Sequence, residues 1–293
     1  MSISTNDPLF ACPVCGEPLP TAERSYVCGN GHRFDVAREG YVNLLLAQHR
    51  RSKDPGYSKG MIAGRRDFLD AGHYAPLADG VAERVRSALP PGPHRVVVDA
   101  GCGEGYYLRR LRHLLEKDGS GDSPVLCGLD ISKHGIRVAA RRDPEGLYAV
   151  AGTYRMPIRP ARVDVLLTHF SPVSPQDFRR VVKPGGLVLV GGPGERHLFS
   201  FKKLVYESPA EHEPTESLAE ERGFELIDTH VIHYHLSMRG RGQVANLLLM
   251  TPYLWSINDD MRARLAELDA LDTEVHVVVH TYRRTAAASA ASK

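Results

Sequence analysis

Four residues near the start of the chain, Cys12, Cys15, Cys28 and His32, have types and spacing suited to metal chemistry. Two residues separate the first pair, twelve intervene, and three separate Cys28 from His32. Two tight turns at that spacing bring four soft donors to one tetrahedral zinc, so a segment too small for its own core folds around metal. The flanking residues agree: C-P-x-C-G and C-G-x-G-H are both rich in turn formers. Four protein ligands leave no open coordination position, which makes this one structural zinc per chain and not a catalytic one.

A second chemical signature lies at Val96-Val-Val-Asp99-Ala-Gly101-Cys-Gly103-Glu104-Gly105-Tyr106. A β-branched strand ends near an acid, and three alternating glycines precede a helix. Glycines let backbone approach a ligand, and the helix start supplies N–H groups. Nicotinamide and flavin sites share such loops, but a dinucleotide fingerprint wants glycine where Tyr106 stands. G-x-G-x-G two residues after an aspartate is the form typical of S-adenosylmethionine sites, with Asp99, Gly101, Gly103 and Gly105 at the cofactor. Asp130, ending the next strand, suits ribose hydroxyls, a geometry dinucleotide enzymes also use; its other reading is a helix cap. Cys102 reads as a space-filler in the loop.

The elements that must position these groups follow from pattern. Met61–Leu69 and Leu77–Leu89 carry helical apolar spacing, and Leu89-Pro-Pro-Gly-Pro93 stops the second. Strand and helix signals then alternate: strands at Arg95–Asp99, Val125–Asp130, Val163–Thr168 and Gly186–Gly191, helices at Leu108–Leu115, Ser132–Arg142 and Gln176–Val182. Thr273–Arg283 alternates as one strand of a terminal antiparallel hairpin; its His276 and His280 read as surface residues. The fold class is α/β, a Rossmann-like class I methyltransferase sheet with an antiparallel last strand, preceded by a zinc-ribbon or knuckle module. Four parts result: residues 1–46, a zinc module for RNA recognition; 47–92, a basic helical connector; 93–284, the methyltransferase domain; 285–293, a disordered tail.

Composition is that of an ordinary soluble domain pair: 293 residues, 42% hydrophobic, 25% charged, net charge +2. No apolar run approaches the ~20 residues of a membrane span, no leader is indicated, and five cysteines with three committed to metal suit a reducing, cytoplasmic interior. Charge is clustered, however. Between His49 and Arg66 stand Arg50, Arg51, Lys53, Lys59, Arg65 and Arg66 against the single acid Asp54. Such a stretch is either a solvated helix face or a set of phosphate contacts, and its place behind a zinc module favours RNA.

Over nearly its whole length the chain resembles the RlmA family of 23S rRNA guanine-N1 methyltransferases. The carriers are C-P-V-C…C-G-N-G-H-R-F-D-V-A-R-E-G-Y-V-N-L-L (Cys12 to Leu45), R-S-K-D-P-G (Arg51 to Gly56), F-L-D-A-G-H-Y (Phe68 to Tyr74), D-A-G-C-G-E-G-Y-Y (Asp99 to Tyr107), V-V-K-P-G-G (Val181 to Gly186), P-G-E-R-H-L (Pro193 to Leu198) and L-M-T-P-Y (Leu249 to Tyr253). The resemblance implies zinc on Cys12, Cys15, Cys28 and His32, and cofactor contacts from Tyr74, Gly103, Glu104 and His197. It also implies a homodimer acting on a guanine, of the nucleotide 745 or 748 class, in a domain II hairpin of 23S rRNA, with a macrolide response tied to that choice. G-C-G-E-G-Y-Y looks like the branch modifying the earlier guanine, whereas Thr168-His-Phe-Ser-Pro172 departs from it, so the nucleotide stays open. Guanine N1 carries a proton that must leave. His169, following a strand in the right part of the fold, is the candidate base or a stacking neighbour, with His197 second. Phe170 is placed to stack on an extruded base. A small-molecule methyltransferase with a purely structural zinc module is the alternative, and a nucleic-acid-binding protein with a silent methyltransferase fold is a third reading.

Overall fold

The computed structural model describes residues 7–49, 56–117, 123–213, 218 and 222–286. Arg50, Arg51 and Lys53, and the expected tail beyond Ala286, lie outside the described residues. In chain order the elements are β1 (Thr21–Ala22), β2 (Ser25–Val27), β3 (Arg33–Asp35), β4 (Tyr41–Asn43), α1 (Lys59–Asp70), α2 (Ala75–Ala88), β5 (Val96–Ala100), α3 (Tyr106–Lys117), β6 (Val125–Asp130), α4 (Lys133–Arg142) and β7 (Leu147–Val150). There follow β8 (Val163–His169), α5 (Pro175–Val181), β9 (Val182–Pro193), α6 (Phe199–Val205), β10 (Phe224–Arg239), α7 (Gln243–Leu249), α8 (Asp259–Ala266) and β11 (Ala270–Arg284).

β1, β2 and β3 form a small antiparallel ribbon sheet. The large sheet has the order β10-β11-β9-β8-β5-β6-β7-β4. Its strands from β9 to β4 run parallel, while β11 is antiparallel to both β9 and β10. The order reverses between β5 and β8, so ligand space opens beyond their carboxyl ends. β8 is buried along its whole length, as a parallel strand covered on both faces must be.

Alternation sends the two faces of this sheet into different cores. Val97, Leu126, Val165 and Leu189 face one core, with the apolar stripes of α1, α2, α3, α4 and α7. Val98, Cys127, Leu166 and Val188 face the other, where Phe178 and Val181 of α5 cover only part of the surface. The rest is covered by the zinc module: Leu9, Phe10 and Leu19 are each at most 3% exposed and belong to that second core. The seam is also hydrogen-bonded. Ala11 N–H donates to Pro157 O at 3.0 Å, Arg159 N–H to Leu9 O at 3.0 Å, and Asp7 accepts from both Arg159 and Arg162 at 2.7 Å. β4, inside the segment expected as the zinc module, belongs to the large sheet, with Tyr41 opposite Tyr148. The ribbon therefore takes a helix's place on one face and feeds a strand into the sheet edge.

Candidate functional site

The metal cluster forms as the spacing requires. The donor atoms of Cys12, Cys15, Cys28 and His32 lie within 4.8 Å of one another. Cys15 Sγ is 3.8 Å from Cys28 Sγ, and His32 Nδ1 is 3.4 Å from Cys28 Sγ and 3.6 Å from Cys12 Sγ. Tetrahedral zinc with bonds of about 2.3 Å to sulfur and about 2.05 Å to nitrogen has S–S edges of about 3.8 Å and S–N edges of about 3.6 Å. Those three distances agree with such a cage, with His32 offering Nδ1. Among the described residues no other His, Cys, Asp and Glu group has metal-holding geometry. His276 stacks on His233 at 4.9 Å and accepts the Arg196 N–H on Nδ1, away from any such group.

The second site is a cavity of about 670 Å³ at the carboxyl end of the large sheet. Its floor is the loop from β5 to α3. Gly101 has φ +99° and a methyl there would overlap Ser171; Gly103 has φ +58° and faces the Arg65 guanidinium, whose Nε a methyl would meet at 3.2 Å. Bare backbone at these two points forms a cradle that a side chain would fill. The loop is tied to β6: Gly101 N–H donates to Leu129 O at 2.8 Å, and Gly103 N–H to Asp130 Oδ2 at 2.9 Å. Asp130 Oδ1 accepts from Ser132 N–H at 2.7 Å, and Ser132 in turn caps α4 by accepting from Gly135 N–H. Asp130 thus staples loop to helix, and it also lines the cavity with acceptor capacity to spare.

Asp99 Oδ2, Glu104 Oε1 and both ring nitrogens of His169 are buried with no hydrogen-bond partner among the described residues. Of these residues only His169 lines the cavity; Asp99 and Glu104, expected at the cofactor, do not. Burial pushes the Asp99 carboxyl up to about 7, helped by nearby Asp130. Burial likewise lowers His169 to about 4, so its imidazole is neutral near pH 7. That ring stacks on Tyr107 at 5.1 Å and lines the cavity. Beside it Phe170, in the left-handed region at φ +52° and 41% exposed, lies over His197 at 5.4 Å with rings 29° apart.

His197 is fully engaged. Its Nδ1 accepts from His276 N–H at 3.3 Å, which puts the ring proton on Nε2, 3.3 Å from the Tyr74 hydroxyl. Burial, with His212 and His276 nearby, pushes it down to about 3. It is a neutral wall holding Tyr74, a residue brought there from the connector.

The connector contains the main correction. Arg65, expected on an RNA-facing surface, points into the cavity, because Glu104 captures its Nε at 2.6 Å and the side chain is only 13% exposed. Lys59 is exposed, and Arg66 lies on the surface bonded to Asp67 at 2.7 Å. Sequence reasoning did not mark Tyr57, Ser171, His212, Glu213 or Met250–Tyr253 as site residues, although all line the cavity. L-M-T-P-Y was the available signal for the last group. Cys102 is buried in the loop, its thiol pushed well up by burial, as a space-filler.

With this geometry in place, similarity to known proteins becomes decisive. A family described as "RlmA, N-terminal" matches residues 10–53, and one described as a methyltransferase domain matches residues 98–190. The 23S rRNA (guanine(748)-N(1))-methyltransferase of Streptomyces fradiae is 34% identical over 264 residues, covering 89% of this chain and 91% of that protein. The chain belongs to the RlmA family of 23S rRNA (guanine-N1)-methyltransferases. Two further RlmA-like relatives carry that enzyme name provisionally: one from Micromonospora griseorubida, 36% identical over 89% of this chain and 92% of its own, and one from Bacillus subtilis, 30% identical over 92% and 95%. The RlmA-family enzyme uses S-adenosylmethionine and a structural zinc, and its residues fit both: four clustered thiol and imidazole donors, and a glycine cradle in a cavity lined by Asp130 and by the imidazole of His169, unpartnered among the described residues. Among the described residues no helix is long and apolar enough to cross a membrane.

Proposed function

We propose that this chain methylates N1 of a guanine in a domain II hairpin of 23S rRNA, at position 748. The carrying observation is the pair His169–Phe170 in the cavity lining: a neutral imidazole with both nitrogens unpartnered among the described residues, next to a half-exposed ring. The name of the Streptomyces fradiae relative supports the target and the position. S-adenosylmethionine supplies a methyl already activated for transfer. What remains to the protein is alignment, exclusion of water and removal of the N1 proton. A paired ring nitrogen is out of reach, so the guanine must leave its helix, and Phe170 offers it a stacking surface. His169 accepts the N1 proton. Lys59 and Arg66 on α1 steer the RNA backbone, together with Arg50, Arg51 and Lys53 ahead of them.

The proposal includes a cytoplasmic homodimer. The sheet ends in the sixteen-residue edge strand β10, with Leu226, Ile227 and Val231 exposed, a surface that a second copy would cover. Sedimentation at micromolar concentration tests this, a monomer being the negative result.

Primer extension on unmodified 23S rRNA tests the target. N1 methylation blocks the pairing edge, so reverse transcription should stop one nucleotide before guanine 748, and only with cofactor. A stop at 745 moves the assignment to the neighbouring class, and no stop removes it. His169→Ala should lower the single-turnover methylation rate by about 10²–10⁴. An unchanged rate would end its role as base.

A further inference from the structure

We infer that Arg65 is a cofactor-binding residue that holds the carboxylate of the amino-acid portion of S-adenosylmethionine, with Glu104 as its positioning residue. The inference rests on the methyltransferase assignment and is independent of the RNA target.

Charge accounting leads to it. The amino-acid end of this cofactor is a zwitterion, and its carboxylate, once drawn out of bulk water into the cavity, needs strong donors, which a guanidinium supplies best. Among the described residues that line the cavity, Arg65 is the one Arg or Lys. The histidines there do not substitute: burial holds His169 and His197 neutral, and it also pushes His212 down. Arg65 also sits where the amino-acid end belongs, with its guanidinium against the bare backbone of Gly103 in the cradle.

The donor inventory agrees. Among the described residues Arg65 makes one hydrogen bond, from Nε to Glu104 Oε2 at 2.6 Å. Its two terminal amino groups are left, and together they match a carboxylate. Glu104 has a fully covered side chain, so it reaches the ligand by fixing the guanidinium and not by touching it. Its Oε1 keeps an unused acceptor. The sequence placed Arg65 with phosphate-contacting neighbours. The structure separates it from them by the turn of α1 that faces the glycine loop.

Calorimetric titration with three ligands tests the inference: S-adenosylmethionine, its decarboxylated analogue, and 5′-methylthioadenosine, which lacks the amino-acid portion. Wild type should prefer S-adenosylmethionine to the decarboxylated analogue roughly 10- to 100-fold, the size of a hydrogen bond to a charged group. Arg65→Met combined with Glu104→Gln, which strands no buried charge, should shrink that preference to about threefold or less and leave methylthioadenosine affinity within about threefold. Arg65→Lys, the milder change, should give an intermediate preference, since an ammonium cannot reproduce the fork. Equal wild-type affinity for the first two ligands overturns the inference. So does a double variant that keeps the full preference, or one that loses all three ligands alike. A wild type that binds none of the three removes the cofactor assignment itself, and the inference with it.

Discussion

The zinc cluster and the cofactor cavity solve opposite problems. At the cluster all four donors converge on one point and nothing is left over. At the cavity, both ring nitrogens of the lining residue His169 are left without partners among the described residues, open to a ligand. The cluster is built from twenty-one consecutive residues, Cys12 to His32, whereas the cavity draws on segments from Gly56 to Tyr253. A structural metal site closes upon itself; a reactive site is kept incomplete by the fold around it. Yet the two are not separate bodies, because the ribbon covers β5 and β6 from behind while their ends build the cavity floor.

The strongest attack on that contrast is Cys28→Ser. Structural zinc contributes about 10–16 kcal/mol in small zinc-finger peptides near neutral pH. The variant should lose its one zinc, read by metal analysis, and melt well below wild type. Because Leu9, Phe10 and Leu19 leave the sheet face with it, cofactor affinity in the cold should fall at least about tenfold. Unchanged affinity would show that the two regions are separable after all.

Next in size is Asp99→Asn. The folded carboxyl titrates near 7 against a reference of 3.8, and each unit is about 1.4 kcal/mol. A raised carboxyl stabilises the fold fully below pH 4 and loses that contribution as pH rises through 7. Asparagine avoids the loss. Without cofactor, the variant should therefore gain on wild type between pH 5 and pH 8.5 by roughly 2–3 kcal/mol, read by thermal or urea melts at both pH values. A pH-independent difference would mean that Asp99 is ionised throughout.

Gly101→Ala should weaken cofactor binding by about tenfold or more, because φ is +99° and the methyl overlaps Ser171. Calorimetry reads it, and wild-type affinity would show that the loop has slack. The smallest effect belongs to Lys59→Gln with Arg66→Gln. Binding to the rRNA hairpin should weaken severalfold at low salt, with the slope of log K against log salt falling by about one per lost phosphate contact. An unchanged slope would make α1 a merely solvated face.

Much of this was legible before the fold was seen, for a physical reason. The zinc spacing, the glycine loop and the strand–helix alternation are local patterns, and each reappears where it was expected. Long-range arrangement was not legible. Arg65 reads as one base in a basic run until the structure turns it toward Glu104, thirty-nine positions on. Tyr41–Asn43 reads as the end of the zinc module until Leu147–Val150 lies beside it. β10 is exposed through most of its first half, which hides that part, but Ile232, Tyr234, Leu236 and Met238 alternate with exposed neighbours and were a readable strand signal. β9 accommodates Lys183-Pro-Gly-Gly186, a segment that reads as a turn, as a bulge: Val182 pairs with Val163 and Leu187 with Val165.

The strand β4 sets an order of events. It is made early, yet its partner β7 leaves the ribosome about a hundred residues later, so the sheet edge closes only after a long wait. Until then the ribbon can close by itself only around zinc. Leu9, Phe10 and Leu19 meanwhile remain uncovered, available to chaperones or to aggregation. Metal supply during synthesis is thus a condition on the yield of the whole enzyme, well before any substrate is met.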